Sequence, residues 1–129
     1  MIVKSNALKT FIALTDQTPR DGYFVDAAGV LMASATVAPF GVITDGGAVG
    51  GLTTAAVSAG GYRGTLRVKL KASGAGSIAV GTALILVNDG TVKATAGASG
   101  SVIVATALEA GVDGELIEAV LMQPVIIPA

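Results

Sequence analysis

The acidic side chains of this chain gather towards its end, where Glu109, Asp113, Glu115 and Glu118 lie close together. Such a group suggests either an oxygen-only cation site or an acid and base pair. Calcium and magnesium loops, however, alternate Asp or Asn ligands and close with a Glu, and no stretch here does so. These carboxylates therefore read as the solvated side of a turn and of an outer strand face. With no His in the chain, imidazole zinc sites and every triad that needs a His base are excluded. With no Cys, there are no thiolate ligands, thiolate nucleophiles or disulfides. Ser5, Ser34 and Ser58 have no partner base, and the glycines at Gly46-Gly47, Gly50-Gly51 and Gly74-Ala-Gly76 lack the Gly-Lys-Ser/Thr of a phosphate loop. The expectation is a protein that is not an enzyme and takes no cofactor or metal.

The basic side chains concentrate at Arg63, Arg67, Lys69 and Lys71, next to Tyr62. Nucleic-acid grooves interleave cations with several stacking aromatics. One Tyr beside four cations, in a chain of net charge -1, makes neither a nucleic-acid groove nor a field for acidic membranes. What remains is a strand face that is either solvated or docked on an acidic protein surface. Two apolar segments complete the candidate contact residues: Phe11 and Ile12 near the start, and Val125, Ile126 and Ile127 between Pro124 and Pro128. Prolines cannot donate in a central ladder, so the last segment reads as an extended edge or arm.

The elements that must carry these residues are strands. Thr65, Arg67, Lys69 and Lys71 alternate with Leu66, Val68 and Leu70, which gives one basic and one apolar face. Tyr23-Phe-Val25 and Val30-Leu-Met32 flank a turn at Asp26-Ala-Ala-Gly29, and Phe40 to Thr44 is a further short strand. Asp45 to Gly61 is rich in small residues and reads as weak strand plus loop. Ile78 to Val87 and Thr91 to Thr95 are joined by the Asn88-Asp-Gly90 turn. Val104 to Leu108 and Glu115 to Met122 are joined through Gly111, Asp113 and Gly114. Residues 1–21 are expected to form an N-terminal arm, 22–122 the β domain, and 123–129 a C-terminal arm. Within the domain, 22–71 and 78–122 follow a similar order of strands and turns, with Gly64 to Leu70 set against Gly114 to Leu121. The fold class expected is all-β, with two similar β units making a small sandwich or barrel.

Composition limits the surface. Charged residues make up 13% of the chain and hydrophobic ones 52%, against about 25% charged in ordinary soluble domains. No uninterrupted run of about 20 apolar residues provides a membrane helix. No signal-peptide pattern is read near Met1, so assembly in the cytoplasm is the expectation. A greasy, sparsely charged β domain of this kind completes its surface by association.

The Gly-led strand at Gly81, the turn and strand from Asn88 to Ala96, Val104-Ala-Thr-Ala-Leu-Glu-Ala-Gly111 and the closing Gly114-Glu-Leu-Ile-Glu-Ala-Val-Leu121 resemble the capsid decoration, or cement, proteins of tailed bacteriophages. The resemblance implies a structural virion protein that binds the outer surface of an assembled head. There it would self-associate, often as a trimer, contact the major capsid protein and bridge neighbouring capsomers. The other reading that the chain leaves open is a carbohydrate- or surface-binding β module on a virion or cell.

Overall fold

The computed structural model describes residues 8–57, 64–95 and 97–128. Arg63 and Tyr62 lie outside the described residues. Among those described, the chain is all-β: β1 (Leu8–Ile12), β2 (Phe24–Val25), β3 (Gly41–Asp45), β4 (Leu52–Val57), β5 (Thr65–Lys69), β6 (Ala83–Leu86), β7 (Val92–Ala94), β8 (Val102–Ala107) and β9 (Leu116–Ile126). They form a four-stranded sheet in the order β1-β4-β3-β2 and a five-stranded sheet in the order β5-β9-β8-β6-β7. Every ladder between the strands is antiparallel. A parallel bridge from Leu70 to Val92 links the two edges of the second sheet and curls it towards a barrel.

The two sheets are the same device built twice. In the first, Leu31 adds a bridge to Val25, so the order reads β1-β4-β3-β2-Leu31; in the second it reads β5-β9-β8-β6-β7. The turns coincide as well. Gly22 N–H donates to Ile43 O and Tyr23 N–H to Arg20 O, while Gly81 N–H donates to Ala107 O and Thr82 N–H to Ala79 O. Ala13 N–H donates to Gly51 O, and Leu70 N–H to Glu115 O. Gly22 and Gly81, Gly29 and Gly90, and Gly50 and Gly114 all hold positive φ, where an L side chain is strained.

The structural units are therefore 8–57 and 65–126, and they differ from the halves expected from sequence. β5 opens the second unit as the counterpart of β1; the counterpart of β9 is β4, within the small-residue stretch read as weak strand and loop. β4 is a central strand, paired on both sides. Its small side chains suit close packing, since a Cβ on Gly41 would lie 2.3 Å from Ala56 O. The expected N-terminal arm contains a ladder strand, β1, and the expected C-terminal arm contains the last part of β9.

Antiparallel partners share a face, and this sorts the core. Phe24, Val42 and Ala56 lie side by side on one face of the first sheet and join Val68, Leu70, Leu84, Leu86, Ile117 and Leu121 in one large core. The opposite face carries Val25, Ile43 and Ala55, covered by Phe11 and Leu31 in a smaller core. The first unit thus uses its outer face to cap the second. Burying each large aliphatic contributes about 1.5–3 kcal/mol, so this shared face ties the units into one body.

Candidate partner-contact surface

On β1 the side chains divide by parity. Phe11 turns inward: its ring packs on Gly29, where a Cβ would lie 2.8 Å from Phe11 Cγ, and meets Phe40 edge-on at 6.2 Å between centroids. The Lys9 ammonium sits 5.4 Å from the Phe11 centroid and 5.9 Å from that of Phe40. Phe11 is thus half-buried against the smaller core, and its neighbour Ile12 is presented outward, 65% exposed. Ile12 stands opposite Leu52, and Thr10 opposite Thr54, with 3.5 Å between their hydroxyls. Leu8, Leu14, Val49 and Leu52 are exposed as well. Sequence reasoning missed Leu52 and Val49 because they lie among glycines. Alternation with the buried Thr53 and Ala55 is the signal that marks Leu52 as outward.

The same positions on the second unit are charged. Arg67 faces Glu118 across β5 and β9, and Lys69 faces Leu116. Arg67 is exposed, whereas Lys69 and Lys71 are half-buried; their backbone N–H groups donate to Gly22 O and Val92 O. Arg67 also lines a cleft of about 350 Å³ between the units, with Asp21, Gly22, Ile43, Thr44, Thr65, Leu66 and Leu116.

At the far end, β9 outruns β5 and continues beside β8. Ile103 pairs with Val125, Val102 with Ile126, and Ile127 N–H donates to Ser101 O. The ladder shifts between Ile103 and Ala105, opposite the stretch containing Pro124. A shift of this kind accommodates a residue that lacks an N–H. Val125 and Ile126 are exposed and Ile127 is half-buried. The structure therefore keeps Ile12, on the first sheet, apart from the cationic strand and from the end of β9: three patches, not one site.

The acidic group is occupied by backbone. Asp113 accepts the N–H of Gly74 at 3.1 Å and of Gly76 at 2.9 Å, so it clamps the loop after β5 to the turn before β9. Glu115 accepts Val112 N–H at 2.8 Å, and Glu109 accepts Glu118 N–H at 3.4 Å. Near the first unit's turn, Asp16 accepts both the hydroxyl and the N–H of Thr18, and these bonds, with a smaller contribution from Arg20, hold its carboxyl below the ordinary Asp range. Tyr23 lies under the Arg20 guanidinium at 5.4 Å, and Phe24 is fully buried.

The chain matches no protein-family model and no curated protein. Among solved structures it is similar to the crystal structure of the head fiber gp8.5 N base in bacteriophage phi29, at a TM-score of 0.59 and 18% identity, over 90% of this chain and 93% of that one. At that identity the likeness is one of fold: the β architecture described above is shared, along nearly its whole length, with the base of a phage head fiber.

Proposed function

We propose that this protein is a structural component of a phage virion that mounts on the outer surface of the head. The observation that carries this reading is the likeness of its fold to a head fiber base over 90% of this chain. The exposed aliphatics support it: Ile12, Leu14, Val49 and Leu52 on one side and Val125 and Ile126 on another leave a lone copy with apolar surface that association would remove. In this reading the protein self-associates, binds the major capsid protein and bridges neighbouring capsomers, with no catalytic step. Many modest contacts repeated over a lattice gain strength through multivalency. The test is cosedimentation with purified heads that lack the protein, beside a glycan-binding screen. Saturable pelleting with heads supports the proposal; glycan binding with no head binding overturns it in favour of a surface-binding module.

A further inference from the structure

The junction between the two units is a strand edge receiving a glycine. Gly22 of the first unit accepts Lys69 N–H at 3.0 Å. A Cβ on Gly22 would lie 2.6 Å from Leu116 Cδ2, 3.1 Å from Lys69 N and 3.2 Å from Arg67 O. Around this contact Asp21 and Thr44 of the first unit meet Thr65, Arg67 and Leu116 of the second across the cleft.

Because the units repeat, each half of this junction has a counterpart elsewhere on the chain. Gly22 corresponds to Gly81, which has φ 90 and meets nothing within 4 Å of its Cβ position. Asp21 and Thr44 correspond to Val80 and Leu108, both exposed aliphatics. Phe24, Val42 and Ala56, fully buried where the first unit caps the second, correspond to Ala83, Thr106 and Val120, all of which remain half-buried. On the receiving side, Lys69, Leu116 and Thr65 correspond to Ile12, Leu52 and Leu8, exposed at 65%, 66% and 55%. Parity of the ladder turns the N–H of Ile12 away from β4, as it turns that of Lys69 away from β9. Where the filled junction carries Asp21, Thr44, Thr65 and Lys69, the unfilled halves carry Val80, Leu108, Leu8 and Ile12.

We infer that the two halves fill one another between copies: the Gly81 face of one chain, with Val80 and Leu108, seats on the β1 edge of the next, with Leu8, Ile12 and Leu52. The contact is head-to-tail, so it generates a ring where the rotation closes. The Gly81 carbonyl takes the Ile12 N–H, as Gly22 takes that of Lys69. The second junction bond, Phe24 N–H to Gly90 O, has Gly29 O as its counterpart acceptor, which within the chain accepts the Gln17 side-chain amide at 3.4 Å. This inference deepens the self-association in the reading above.

The chain has no cysteine, so single cysteines can be placed cleanly. Leu52→Cys and Val80→Cys variants, each alone and mixed, are treated with a short bis-maleimide in the absence of heads. The mixture is expected to give covalent heterodimers, and neither variant alone to give homodimers. Homodimers of Leu52→Cys alone would show a face-to-face contact and overturn the inference, as would an uncross-linked mixture of folded variants. An Ile12→Lys control, matching Lys69 on the other unit, is expected to abolish the cross-link while leaving the thermal midpoint of the monomer within a few degrees. Failure here in protein that still pellets with heads overturns only this contact; intact cross-linking without head binding overturns only the mounting on the head.

Discussion

The backbone of Gly46 passes so close to Gln17 that a Cβ on it would lie 1.8 Å from the Gln17 carbonyl oxygen. The obstructing atom is backbone and cannot rotate away. Gly46 N–H is at the same time held by Asp21 Oδ1 at 2.9 Å, and Gln17 N–H donates to Gly47 O. This crossing pins the loop after β1 to the turn before β4, and so sets β1 against its sheet.

Gly46→Ala is therefore expected to destabilise the fold by roughly 1–3 kcal/mol, the range for forced overpacking. Urea unfolding reads this as a lower midpoint. Gly50→Ala, whose Cβ meets nothing within 4 Å, tests backbone strain alone at φ 81, and its loss is expected to be smaller.

Asp113 joins two loops through two N–H groups, so Asp113→Ala leaves both donors without this acceptor. The expected cost is about 1–3 kcal/mol, with Asp113→Asn intermediate because it keeps one acceptor oxygen. If millimolar calcium raised the thermal midpoint of the wild type but not of Asp113→Ala, the assignment of this carboxylate to the backbone would fail.

Leu121 is fully buried in the large core and Ile12 is exposed beside it in rank of size only. Leu121→Ala is expected to cost about 2–5 kcal/mol. Ile12→Lys is expected to change monomer stability by no more than about 0.5 kcal/mol, as surface substitutions do. Denaturation of the two variants at low protein concentration separates the core from the contact surface.

Asp16 supplies the pH dependence. Its folded carboxyl is depressed by the Thr18 bonds; the stabilisation is therefore present above the ordinary Asp value and is lost as the pH falls through the lower folded value. An NMR titration should show an Asp16 midpoint below the ordinary Asp range. In Thr18→Ala, which removes the hydroxyl donor, the midpoint should move back up.

Much of the fold was legible in the sequence, for reasons that particular residues show. The alternation of Leu66, Val68 and Leu70 with Thr65, Arg67 and Lys69 announced β5, and the Asp26 to Gly29 and Asn88 to Gly90 turns announced two hairpins. Asp26 does close its turn, accepting the N–H groups of Ala28 and Val30. The unit boundaries were hidden because β4 carries Thr53, Thr54, Ala55 and Ala56, whose size reflects tight packing against β3 rather than weak strand character. Without β4 in view, the sequence alone aligns β5 with β9. The partners that half-bury Phe11, Gly29 and Phe40, come from distant turns and leave no local signal. Val80 and Leu108 carry no local signal; they stand out only once the two units are superposed by hydrogen-bond pattern.

The most direct test of the central claim, that the apolar faces left open by the duplication are shared between copies, is the mass of the full chain in solution by light scattering at micromolar concentration. A mass that is a multiple of 12.6 kDa, reduced to one copy by Ile12→Lys, is the predicted result. A wild-type chain that stays at one copy across the concentration range, with its fold intact, would contradict it.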